Sequence, residues 1–140
     1  MVNIPGFVSF RGRRAKPYQR VKAYWNLHKE VWSLVACDGP DKGLVLGHCP
    51  RLGLLSAKFT VLESGRQRVI REKKKNVHAY AVGKLLSAPD CHLKIQFPVR
   101  PLSYNPYKAG HFVVRASGEP IHGTEVLLLA EGGRAVASAA

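Results

Sequence analysis

The sequence predicts an α+β domain: a small, mainly antiparallel sheet of five to seven strands with one short basic helix packed on it. Three observations predict it. Short runs of alternating apolar and polar residues recur along the chain, separated by turns rich in Gly, Pro and Asp. One stretch alone, Ser64 to Lys75, combines helical spacing with a helix-start pattern. The chain has 140 residues with an apolar fraction of 46%, so one core suffices and neither metal nor disulfide is needed to fold it.

The elements follow in order. Residues 1–20 read as a basic extended arm: Arg11, Arg13, Arg14, Lys16 and Arg20 face no acid, and Gly12 and Pro17 break any helix. Residues 21–131 form the single domain. It opens with a hairpin in which His28 and Lys29 make the turn and Trp25 sits opposite Trp32. That turn lacks glycine, so a longer loop is an alternative. Asp38-Gly39-Pro40-Asp41 is a dense turn signal. Leu44 to His48 and Ala57 to Leu62 read as strands, with a bend around Pro50 and Gly53. Ser64 and Gln67 fit a capping box, which starts the helix near Gly65 and runs it to Lys75; Asn76 fits a left-handed end. Val77 to Leu86 alternates, with a small-residue face suited to close packing under the helix and with His78 and Tyr80 on the face that meets solvent or ligand. Ser87 to Cys91 reads as a turn, and His92 to Val99 and His111 to Arg115 as strands. Asn105-Pro106 starts a loop bearing Tyr107 and Lys108. Residues 132–140 are small and without a packing anchor, and are expected to fray.

The charge is the unusual feature. A net charge of +13 opposes compaction unless something anionic offsets it, and nucleic acid or an anionic membrane are the usual partners of such chains. No apolar run reaches the ~18–20 residues that span a bilayer, so no membrane role is expected. The three cysteines, Cys37, Cys49 and Cys91, show no metal or disulfide spacing, which favours free thiols in a reducing compartment. The paired His48-Cys49 and Cys91-His92 point to opposite strand faces, so no metal site is expected. The nine acids form no spaced cluster for Mg²⁺, and no nucleophile elbow, phosphate loop or zinc-protease motif occurs; catalytic residues and cofactors are expected to be none.

The candidate site is phosphate-binding. Arg66, Arg68, Arg71, Lys73, Lys74 and Lys75 face one acid, Glu72, within ten residues. Arg68, Arg71 and Lys75 fall on one helix side, where like charges repel by a few tenths of a kcal/mol per pair. A sequence that keeps such repulsion is consistent with an anionic partner, although last-turn cations also suit the helix dipole. Asn76, His78, Tyr80, Tyr107 and Lys108 are added as residues able to line a nucleotide pocket, and Arg11, Arg13, Arg14 and Lys16 as backbone contacts.

Three stretches carry a resemblance: Tyr24-Trp25-Asn26-Leu27-His28-Lys29, the run Gly65 to Tyr80 with Arg71-Glu72-Lys73-Lys74-Lys75-Asn76-Val77-His78-Ala79-Tyr80 within it, and Tyr104-Asn105-Pro106-Tyr107-Lys108. Over about residues 24–113 the chain resembles a family of small, mostly uncharacterised proteins of tailed bacteriophages and prophages. The resemblance implies a phage origin and carries over no catalytic residue. Combined with the absence of a targeting signal, it points to a protein of the host cytoplasm, or alternatively of the virion. The expected function is binding nucleic acid or a phosphate-rich nucleotide ligand. The alternative is a virion structural or assembly protein, or an inhibitor docking on a host nucleoprotein complex.

Overall fold

Eleven strands, not five to seven, build the sheet among the residues that the computed structural model describes, which are 4, 6–75, 77–86 and 99–138. They are β1 (Val8–Ser9), β2 (Arg20–Asn26), β3 (Val31–Ala36), β4 (Val45–Cys49), β5 (Leu52–Val61), β6 (Ala79–Leu85), β7 (Val99–Ser103), β8 (Phe112–Val114), β9 (Pro120–Ile121), β10 (Gly123–Ala130) and β11 (Arg134–Ser138). Their order across the sheet is β1-β4-β3-β2-β6-β5-β10-β11-β7-β8-β9, and every pairing is antiparallel. The extra strands are those that alternation misses. β1 and β9 have two residues each, too few to show a period. β11 is built of small residues that suggest fraying, yet it pairs with β10 on one side and β7 on the other. Its Ala137 is fully buried, because a small side chain fits where Leu127 stands opposite.

The one α-helix among the described residues, α1 (Glu63–Glu72), is not packed on the sheet face either. Val69 is its only buried residue, and it sits at the end of the sheet as the connection from β5 to β6. Neither end forms as the sequence suggests. Leu62 is the N-cap without a side-chain cap bond, and Lys73, not Asn76, takes the left-handed C-cap with φ 55°. Gln67 does not close a capping box: its side chain, like that of Arg66, donates to the Glu63 carboxylate. Asn76, the expected turn at 87–91 and most of the expected strand from His92 to Val99 lie outside the described residues.

The core lies on one face of the sheet. Val21, Leu34, Leu54, Leu85, Leu127 and Ala137 are all fully buried there. The register explains why: Leu54 stands between Leu85 on β6 and Leu127 on β10. A bulge in β5 between Leu55 and Lys58 lets the sheet turn, and Gly83 faces it, since a Cβ there would lie 2.8 Å from the Leu55 carbonyl oxygen. The sheet curls until its faces meet. Phe59 of β5 stacks on Phe112 of β8 at 4.9 Å between ring centres, and the indole N–H of Trp32 in β3 donates to the Ala130 carbonyl at 2.9 Å.

The β2–β3 hairpin has the expected register, with Trp25 opposite Trp32 and their rings edge-to-face at 5.2 Å. The longer-loop alternative holds: Glu30 takes φ 54°, and the Asn26 side-chain oxygen accepts from the amides of His28 and Lys29.

Candidate nucleic-acid interface

Helix α1 and the loop 105–110 form one end of the molecule, and Arg66 joins them. Its Nε donates to the carbonyls of Pro106 at 2.9 Å and Ala109 at 3.1 Å, and its Nη1 to Glu63 at 2.7 Å. Its side chain is 17% exposed. Arg66 therefore fixes the loop that presents Tyr107 and Lys108, and both of those are exposed. The hydrogen bond from Gln67, and then the bond and charge of Arg66, hold the Glu63 carboxyl below the usual carboxylate range.

The remaining helix cations divide in two. Arg68 reaches Glu72 at 2.8 Å in an exposed i,i+4 pair, of the kind that contributes only ~0.3–0.5 kcal/mol. Arg71, Lys73, Lys74 and Lys75 are exposed, and among the described residues no carboxylate lies within ion-pair distance of them. They form a run of uncompensated charge in and just past the last turn of the helix.

His78 is not on an open face. It is buried beneath α1, and its Nε2 is 2.6 Å from the Tyr104 hydroxyl. Burial pushes the Tyr104 phenol up from its ordinary value. Gly65 makes this packing possible, because a Cβ at that position would lie 2.6 Å from the His78 Cβ. Gly65→Ala should therefore lower stability. Alanine gains ~1 kcal/mol of helix propensity, but overpacking costs ~1–3 kcal/mol. A melting temperature above that of the wild type would show that the contact relaxes freely.

Tyr80 is half-buried on the outer face of β6, with the Lys22 ammonium 4.6 Å from its ring centre.

The arm cations do not join the helix cations. Residues 10–19 run along the far end of the sheet: Phe10 N–H bonds to Leu46, Arg13 Nη1 to the Val45 carbonyl and Tyr18 N–H to Leu85. Those partners belong to the first half of β4 and the last residue of β6, whereas α1 enters the first residue of β6. Arg11 and Arg13 both lie against the Phe10 ring, at 5.2 and 5.7 Å. Arg14 and Lys16 are exposed.

What composition and spacing did not reveal is an aromatic hollow at the helix end. Trp25, Trp32, Phe59, Tyr104 and Phe112 line a half-open cavity of about 220 Å³ inside the curl of the sheet. Tyr104 stacks on Phe112 at 5.1 Å, extending the Phe59–Phe112 stack to three rings. These residues come from five separate strands or loops, so no local pattern marks them. The Trp pair was the one available signal. Next to this cavity, Leu27, Val69, Val77, Pro106 and Lys75 line an open groove of about 400 Å³.

Ser33 and His48 approach at 2.8 Å, but Ser33 is fully buried, so no substrate reaches its hydroxyl. Burial, with a smaller effect of Lys29, lowers the His48 pKa. Among the described residues no group of three or more His, Cys, Asp or Glu could hold a metal, and no helix is long and apolar enough to cross a membrane.

A curled antiparallel sheet with a cationic helix at one end thus defines a small β protein with a charged rim. Comparison with known proteins places it among phage proteins. A family model described as the Mycobacterium phage L5 gene 82 protein matches residues 14–137, and the Gene 82 protein of Mycobacterium phage L5 is 35% identical over 120 residues, covering 81% of this chain and 92% of that one. The chain belongs to this phage protein family. No solved structure matches it.

Proposed function

We propose that the protein binds nucleic acid, or a phosphate-rich nucleotide ligand, through the cationic end formed by α1, the following residues and the loop 105–110. One observation carries this reading: Arg71, Lys73, Lys74 and Lys75 are exposed in a single run with no ion-pair partner among the described residues. Four cations so placed repel one another, and a row of phosphates relieves that repulsion while releasing condensed counterions. Tyr107, 58% exposed on a loop held by Arg66, supplies a flat ring at the same end of the molecule on which a base can stack. The overall charge of +13 makes association fast as well as favourable.

The test is fluorescence anisotropy with labelled single-stranded DNA, duplex DNA and RNA. Four phosphate contacts predict affinity falling roughly 50- to 150-fold between ~50 and ~200 mM salt, the larger figure for duplex. An absence of binding to all three in low salt would overturn the proposal and leave contacts with other proteins as the function to pursue.

A further inference from the structure

The aromatic cavity lies at the same end as the unpaired cations, and phosphate binding alone makes no use of it. Elsewhere the core is closed by leucines that are fully buried, Leu34, Leu54 and Leu85. Here five aromatic rings leave about 220 Å³ unfilled, and Trp25, Phe59, Tyr104 and Phe112 remain only half-buried. Protein interiors are close-packed, and gaps this large are few in a domain. A cavity of ~150 Å³ admits a benzene ring, so this one has room for a single bicyclic ring. Its walls are fixed: Tyr104 is held by His78 at 2.6 Å and stacked on Phe112, and Trp32 is tied to Ala130. Rings held in this way offer flat faces and edges without an ordering cost on binding. The cavity also shares Trp25, Ala79 and Tyr104 with the neighbouring groove, and that groove carries Lys75.

We propose that this cavity receives one nucleobase, most favourably a purine, whose attached phosphate is held by Lys75 and the cations next to it. The inference rests on the phosphate-binding reading and adds to it a site for the base. The aromatic walls select a flat π system, and the cation at the rim selects a ring that carries an anion. A nucleotide has both, whether free or within a single strand. Stacking one base contributes about ten- to hundredfold in affinity.

Two observables test it: anisotropy and the fluorescence of the two tryptophans, both of which line the cavity. The ligands are an oligodeoxyadenylate, an abasic oligonucleotide of equal length, and adenosine monophosphate. The wild type should bind the oligodeoxyadenylate at least tenfold tighter than the abasic strand, with a change in tryptophan emission that the abasic strand does not cause. Binding of the monophosphate with the same emission change identifies a free nucleotide as sufficient; binding of the oligomer alone identifies a strand. Ala79→Leu, which fills the wall common to cavity and groove, should remove the preference while leaving the abasic affinity within about twofold. Equal affinity of the wild type for the base-bearing and abasic strands overturns this inference and leaves phosphate binding standing. Affinity for neither overturns both. The wild-type comparison decides the matter even if Ala79→Leu does not fold.

Discussion

Leu54→Ala will cost ~3–5 kcal/mol of folding stability, the range for a fully buried leucine truncated where neighbours cannot close the gap. Leu54 is 0% exposed and faces Leu85 on one side and Leu127 on the other, each also at 0%. All three stand in the central strands of an eleven-strand sheet, so a collapse of one strand onto the cavity would break hydrogen bonds on both flanks. Urea denaturation of the variant beside the wild type measures the loss. Leu62→Ala is the control: that residue is 46% exposed at the helix N-cap, and truncating it should change stability by less than ~1 kcal/mol. A loss below ~1 kcal/mol for Leu54→Ala would mean that the centre of the core lies elsewhere.

Neutralising the cationic run will have the largest effect on binding. In the variant Arg71→Gln, Lys73→Gln, Lys74→Gln, Lys75→Gln, the slope of log affinity against log salt should fall by about 3 to 4 with duplex DNA, close to one unit per lost phosphate contact. Removing the arm cations by changing Arg11, Arg14 and Lys16 to Gln should act independently, because they lie at the other end of the sheet. Stability should change little in the helix variant, since these side chains are exposed and no ion pair is lost among the described residues. If the slope is unchanged in the helix variant and falls in the arm variant, the binding surface belongs at the other end.

Much of the first half of the fold was legible. Trp25 opposite Trp32 followed from a turn centred on His28 and Lys29, because a hairpin with a short loop leaves one register to its flanking residues. The helix was legible as a helix, but the Gln67 side chain, expected to close a capping box with Ser64, donates instead to the charged Glu63 carboxylate, a stronger acceptor. The α+β description failed on long-range pairing. β11 is Arg-Ala-Val-Ala-Ser, a composition with low strand preference on its own, and it is held by β10 and β7 on either side. The exposed cations were legible by position. Which of them are engaged was not: Arg66 is committed to carbonyls forty and more residues away, and nothing nearby in the sequence announces those partners. His78 was misplaced on an open face for the same reason, since the glycine that lets α1 settle on it lies thirteen positions earlier.

The separation of the two cationic ends sets a yardstick. β2 runs from one end to the other in seven residues, a distance of ~20 Å at the usual strand rise. A polymer that touched both ends at once would need about six nucleotides, taking ~3.4 Å for each. Anything shorter meets one cationic end and leaves the opposite rim available to a second chain.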